Sequence, residues 1–171
     1  MNQPARNLDL GVESGEEDNQ YLTFKLGQEM FAINILNIRE IMEYGNITTV
    51  PMMPTFVRGV INLRGSVVPV IDLVSRFGRG QCVINRRSCI VILELGLGSQ
   101  ETREVGVIVD EVSEVREIAS AEIEPAPTFG AHIRTDFIVG MGKVEGHFVI
   151  LLDVHRVVDV EEMATLVNAD S

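Results

Sequence analysis

Apolar positions crowd most densely between residues 56 and 77, FVRGVINLRGSVVPVIDLVSRF. Two β-rich runs, residues 59–64 and 67–72, flank Gly65-Ser66, which reads as a two-residue hairpin turn with Gly supplying positive φ. Both runs are apolar at nearly every position, so the pattern predicts a central hairpin covered on both faces. Pro69 cannot donate to a ladder and is expected at an edge or bulge. The same pattern returns at residues 137–158, FIVGMGKVEGHFVILLDVHRVV. With Gly65 set on Gly146, Phe56 falls on Phe137, Gly59 on Gly140 and Asp72 on Asp153. Each Asp precedes a short helical tail, residues 73–77 and 154–158, where a carboxylate cap suits the helix start.

The segments before these hairpins also match. Residues 31–35 resemble 105–109, Ile38-Arg39-Glu40-Ile41 resembles Val112-Ser113-Glu114-Val115, and residues 50–54 resemble 124–128. The chain therefore reads as mainly β, two pseudo-symmetric lobes in tandem with short helices. The first lobe is expected at about 20–78 and the second at about 88–158. Strands are expected at 21–26, 30–35, 47–50, 88–95 and 105–109 besides the hairpins. Residues 36–44 suit a short helix or an irregular connection, and 110–115 form the second-copy connector. Pro51 and Pro54 enforce an extended loop. Residues 79–87 are the polar linker, 96–103 and 126–135 are loops, and 161–167 suggest a short helix within a C-terminal segment, 159–171. About five short strands per lobe suit a small closed barrel, which hides edges that invite aggregation.

Charge changes the picture at one end. Residues 1–19 are acidic with little apolar periodicity and read as a disordered spacer. Across all 171 residues the net charge is −11, which argues against nucleic acid or an anionic membrane as partner. No apolar run approaches the about 18 residues needed to span a bilayer, and the N-terminus lacks a signal-peptide pattern. Cys82 and Cys89, the only cysteines, read as reduced thiols. His132, His147 and His155 have no metal-ligand spacing. Gly140-Met141-Gly142-Lys143-Val144 fails as a phosphate loop, because Val follows Lys and the stretch reads as a strand. Asp72 and Asp153 read as repeated caps rather than an acid–base pair. No catalytic residue, metal or cofactor is expected. Glu40 has a repeat partner in Glu114, whereas Arg64 is replaced by Glu145. The hairpin itself thus does not require Arg64, which is either a solvated turn residue or a recognition residue paired with Glu40.

GVINLRGSVVPVIDL, preceded by ILNIREI and a Pro-x-x-Pro loop, resembles the CheW family of bacterial chemotaxis coupling proteins. GVIVDEVSEV and GMGKVEGHFVILLD extend the resemblance, which covers roughly residues 20–165. The resemblance implies two five-stranded SH3-like β-barrel lobes. It implies a cytoplasmic, non-enzymatic adaptor recruited to membrane-associated receptor arrays. Its partners would be the cytoplasmic tip of methyl-accepting chemoreceptors and the regulatory domain of a CheA-type histidine kinase. Receptor-facing residues would be Ile38, Glu40, Val57, Gly59 and Arg64, with Arg64 holding Glu40 in an ion pair. Kinase-facing residues would be Cys89, Val91 and Val107, at apolar strand edges. CheA and CheV proteins carry the same fold beside further domains, for which this length leaves no room. The alternative is a ligand-binding or enzymatic double barrel with its site between the lobes; it needs convergent titratable residues there, and the sequence offers no good set.

Overall fold

Ten strands and a few short helical turns build the molecule, described from a computed structural model at residues 19–96, 102–126 and 134–159. The strands are β1 (Gln20–Leu26), β2 (Glu29–Asn34), β3 (Ile38–Glu43), β4 (Val57–Leu63) and β5 (Ser66–Asp72), then β6 (Cys89–Gly96), β7 (Thr102–Val109), β8 (Glu111–Glu117), β9 (Ile138–Val144) and β10 (His147–Leu152). Two helical turns, α1 (Leu73–Arg76) and α2 (Val154–Val157), follow β5 and β10, as the repeated Asp-led tails predict. The acidic segment through residue 18, the centre of the 96–103 loop, most of the 126–135 loop, His132 and the helix expected at 161–167 lie outside the described residues.

The strands form two five-stranded sheets, ordered β8-β1-β2-β10-β9 and β3-β6-β7-β5-β4. Two five-stranded units were expected, but not this membership. The first hairpin of each repeat, β1–β2 or β6–β7, joins the last three strands of the other repeat. The lobes are therefore not the tandem blocks 20–78 and 88–158. One is contiguous, β3 through β7, and the other combines the start and the end of the domain. The exchange is made by parallel pairs, β10 with β2 and β5 with β7. Sequence similarity marks the repeat but not which copy a hairpin pairs with, because both offer equivalent edges.

Both sheets close on themselves. Beyond β3, Thr48 pairs with Val60 of β4 through two backbone hydrogen bonds of 2.8 Å; beyond β8, Glu124 pairs with Met141 of β9 at 2.8 and 2.7 Å. These crossings explain two glycines. A Cβ on Gly59 would lie 2.3 Å from the Thr48 carbonyl oxygen, and one on Gly140 would lie 2.5 Å from the Ile123 side chain. Only glycine lets the returning chain pass so close.

Alternation along each strand divides the apolar residues among three cores. Ile90 and Ile92 point into the β3–β7 barrel with Ile61, Val68, Val70 and Ile108. Ala32, Val149 and Leu151 fill the other barrel with Ile118. The intervening residues Val91, Leu93, Val105 and Val107 pack between the barrels against Phe24, Phe31, Ile33, Phe77 and Phe137. Runs apolar at every position are thus strands with a core on each side.

Several local expectations change. Residues 36–44 are mostly strand rather than a short helix or an irregular connection: a 3-10 turn at Ile35–Asn37, capped by the Asn34 side chain, leads into β3. Its helical spacing loses to antiparallel pairing with β6, a tertiary contact that outweighs local preference. The expected strand at 47–50 reduces to the Thr48 bridge. The hairpin turn is Arg64-Gly65, with φ 51° and 86°, rather than Gly65-Ser66; Glu145-Gly146 repeats it at 51° and 83°. Both pairs have the positive φ at two successive residues that a type I′ turn demands. At its tip the hairpin exposes Asn62, Ser66 and Val67, so only its base is covered on both faces. Pro69 lies in an interior strand, not an edge. Val60, its β4 partner, directs its own N–H and C=O to Thr48. The Pro69 nitrogen therefore faces away from β4, and the ladder to β7 begins only at Val70.

Candidate functional site

Barrel closure brings the β4–β5 turn of one edge over β3 of the other. There Arg64 Nη1 lies 2.8 Å from Glu40 Oε1, with the arginine half exposed and the carboxylate more covered. Arg39 and Glu104 adjoin this pair. Arg39 Nε stands 2.9 Å from Glu104, its Nη1 3.1 Å from Glu94, and Arg64 Nη2 is 3.9 Å from Glu104. Four of these five charges, Arg39, Arg64, Glu94 and Glu104, line a cleft of about 580 Å³ together with Val67, Pro69 and Arg103. Exposed pairs of this kind contribute roughly 0–1 kcal/mol each, so the network orients side chains more than it stabilises the fold.

The other barrel carries the same link with its charges exchanged. Glu145 occupies the equivalent turn, and Arg116 on β8 binds both Glu145 and Glu114. Glu114 is the repeat partner of Glu40. In each barrel an ion pair thus ties the hairpin tip to the opposite edge, and only the β3–β7 barrel presents the cation on the turn.

Of the expected receptor-facing residues, the structure brings Glu40 and Arg64 together. Ile38 and Val57 are partly buried and pack against the core between the barrels. Gly59 is buried beneath Thr48, where its role is the close backbone crossing. Of the expected kinase-facing residues, Val91 and Val107 are 0% and 1% exposed, in interior strands. Neither is an edge residue, and neither side chain is available to a partner; both fill the core between the barrels. Cys89 is half-buried where β6 meets β3. Exposed apolar side chains stand elsewhere, with Val67 69% and Phe148 53% exposed. They are repeat equivalents, each the second residue after its Gly65 or Gly146 turn.

A second polar centre lies at the base of the hairpin. Asp72, 1% exposed, accepts from Arg58 Nη2 at 2.8 Å, the Cys82 amide at 2.9 Å and the Ser75 amide at 3.2 Å. The last bond is the expected cap. Asp153 makes no such side-chain cap bond, so the repeated capping role holds only in the first copy. The repeat equivalent of Arg58 is Val139, and the ion pair is therefore unique to one barrel. Cys82 Sγ donates to Asp110 Oδ1 at 3.1 Å, and Asp110 Oδ2 accepts from Gly27 N at 2.7 Å. Burial, then the Asp110 hydrogen bond and charge, push the Cys82 thiol up to about 12. Burial, then the Glu43 charge, raise that of Cys89. Both cysteines are free and both are protonated at neutral pH. Residues 140–144 lie within strand β9, as expected of a stretch that reads as a strand rather than a phosphate loop.

Arg39, Glu94, Glu104, Arg58 and Asp110 were not singled out as site residues from sequence. A signal existed for two of them: Glu94 and Glu104 are the lone carboxylates of their strands, each near one end. Nothing in their spacing reveals that they face each other.

Residues 20–162 match the CheW-like domain family. Chemotaxis protein CheW of Klebsiella aerogenes is 35% identical over 149 residues, covering 87% of each chain. Chemotaxis protein CheW of Rhizobium meliloti is 31% identical over 143 residues, covering 84% of this chain and 89% of its own. The crystal structure of the scaffolding protein TtCheW from Thermoanaerobacter tengcongensis superposes with a TM-score of 0.74 at 34% identity, covering 85% of this chain and 91% of that one. With its repeated hairpins, paired five-stranded sheets and the Arg64–Glu40 pair at one barrel tip, the chain belongs to the CheW-like domain family.

Proposed function

We propose that this protein is a non-enzymatic adaptor that couples chemoreceptors to a CheA-type histidine kinase in chemotaxis signalling. The observation that carries the reading is the asymmetric pair of barrel tips, within a fold shared with chemotaxis scaffolds. One tip presents a half-exposed guanidinium and the other a carboxylate, each beside an exposed apolar residue. Two differently charged faces on one molecule suit two different partners. The receptor face comprises Arg64, Glu40 and the rims of Ile38 and Val57. It would take an amphipathic helical surface from the receptor tip. The kinase face is centred on the exposed Phe148, with half-buried Cys89 a lesser candidate. Signalling requires the adaptor to contact one state of receptor or kinase more favourably than another. The adaptor acts in the cytoplasm, recruited to receptor arrays by these contacts. Among the described residues, no helix is long and apolar enough to cross a membrane.

Calorimetric titration of the full chain with the kinase regulatory domain from the same organism tests this reading. Saturable one-to-one binding, weakened about tenfold by Phe148→Ser, is expected, as for truncation of an apolar contact residue. Absence of binding by folded protein removes the kinase from the assignment. Arg64→Glu is expected to abolish receptor-dependent kinase control with the circular dichroism spectrum unchanged, since Glu145 occupies the equivalent turn. A lost spectrum would make Arg64 a folding residue instead.

A further inference from the structure

Glu94 on β6 and Glu104 on β7 stand directly opposite each other in the antiparallel ladder. Like charges at a cross-strand pair repel, and Arg39 resolves the conflict by reaching both carboxylates. It can do so because the β3–β6 register shifts between Ile38 and Glu40. Arg39 is the extra residue of that bulge, a device that re-aims a side chain. Arg64 meanwhile has two carboxylates within range, Glu40 at 2.8 Å and Glu104 at 3.9 Å. Glu104 is no more exposed than Glu40, so by burial alone it is an equally good partner. What distinguishes them is that Glu104 already holds the Arg39 guanidinium.

We propose that Arg39 is a positioning residue: by occupying Glu104 it leaves Arg64 to Glu40, and so sets where the Arg64 guanidinium points. The consequence for partner binding rests on Arg64 being a receptor contact, as argued above. In this arrangement the bulge in β3 determines the tip geometry of a hairpin on the opposite edge of the sheet. Arg39 itself need not touch the receptor.

The test is a cycle in the full-length chain, comparing the native protein, Arg39→Gln, Glu104→Gln and the double variant. Two quantities are read: the Arg64 side-chain environment, by crystal structure and 15N guanidinium NMR, and the affinity for a receptor-tip fragment. Arg39→Gln is expected to swing Arg64 onto Glu104 and to weaken receptor binding about tenfold, within the range of couplings between contacting charges. Adding Glu104→Gln removes the competitor and should return both quantities to near native values. The double variant also lacks the opposed carboxylates, so it guards against a folding defect in the single variant. Arg64 remaining on Glu40 in Arg39→Gln overturns the proposal. Loss of affinity that Glu104→Gln does not rescue also overturns it, showing that Arg39 meets the receptor directly. Guanidinium movement and rescue with unchanged receptor affinity would uphold the positioning role and remove Arg64 from the receptor interface.

Discussion

Cys82 illustrates how a side chain that spacing marks as inert becomes part of a tertiary node. Its amide donates to Asp72 and its thiol to Asp110, fastening the linker between the repeats to a strand end and to the β7–β8 junction. The thiol is held up at about 12 from an ordinary 9.0, so almost no thiolate, the reactive form, exists at neutral pH. A disulfide reagent at pH 7 is expected to leave Cys82 unmodified in the native protein and to label it promptly in denaturant. The folded value lies above the unfolded one, so the node's contribution to stability is full below pH 9 and is lost as pH rises towards 12. Urea titrations at pH 8 and pH 11 should show that loss, and Cys82→Ser should diminish it. Equal loss in Cys82→Ser would assign the alkaline sensitivity to other groups.

At the scale of elements, the repeated hairpins share a backbone and differ in what they carry. Both have positive φ at the residue before the turn glycine, and both pass beneath a returning segment at Gly59 or Gly140. The two kinds of glycine serve different ends. Gly65 has no neighbour near its absent Cβ, so Gly65→Ala costs only the left-handed backbone penalty, about 1–2 kcal/mol. Gly59→Ala must displace the Thr48 carbonyl and break the bridge that closes the barrel. Its cost should exceed that of Gly65→Ala, at about 3 kcal/mol or more, by the measure of overpacking within a tight core. Chemical denaturation of the two variants checks the order, and a smaller loss at Gly59 would mean that the bridge yields easily. The charge differences ride on this common frame: Arg64 against Glu145, and Arg58 against Val139. Function at the tip can therefore change without altering the turn.

For the whole molecule, the core between the barrels decides cooperativity. Phe24, Phe31, Phe77 and Phe137 form a chain of ring contacts with centroids 5.6–6.0 Å apart. Arg76 of α1 lies 4.8 and 4.7 Å from the repeat-equivalent rings of Phe56 and Phe137, and its Nε donates to the Val157 carbonyl of α2 at 2.6 Å. A helical turn following one barrel is thus fastened to the turn following the other. Phe31→Ala should cost about 3–5 kcal/mol and should destabilise both barrels together. The chain has two tyrosines, Tyr21 in β1 and Tyr44 just beyond β3, one reporter on each barrel. Fluorotyrosine NMR through a urea titration should give coincident midpoints for both, in the native chain and in Phe31→Ala. Separate midpoints would make the barrels independent units.

Much of this was legible in the order of residues. Strand period, turn chemistry and internal repetition are local signals, so the hairpins, the Asp-led helical turns and the repeat itself follow from the sequence alone. So does the contrast between Arg64 and Glu145, but residue order leaves Arg64 open between a solvated turn and a pair with Glu40, and only the fold forms the pair. The tertiary structure decided which copy each hairpin joins, because equivalent edges are indistinguishable in sequence and only packing selects between them. It decided that Val91 and Val107 are core, since an apolar strand reads alike whether one face or both are covered. The turn moved by one residue for a related reason: Arg64 can be driven into positive φ by the ladder on either side, which no local preference of arginine would reveal. The opposition of Glu94 and Glu104, and the bulge that sends Arg39 between them, exist only once register is set, and register is a property of paired strands.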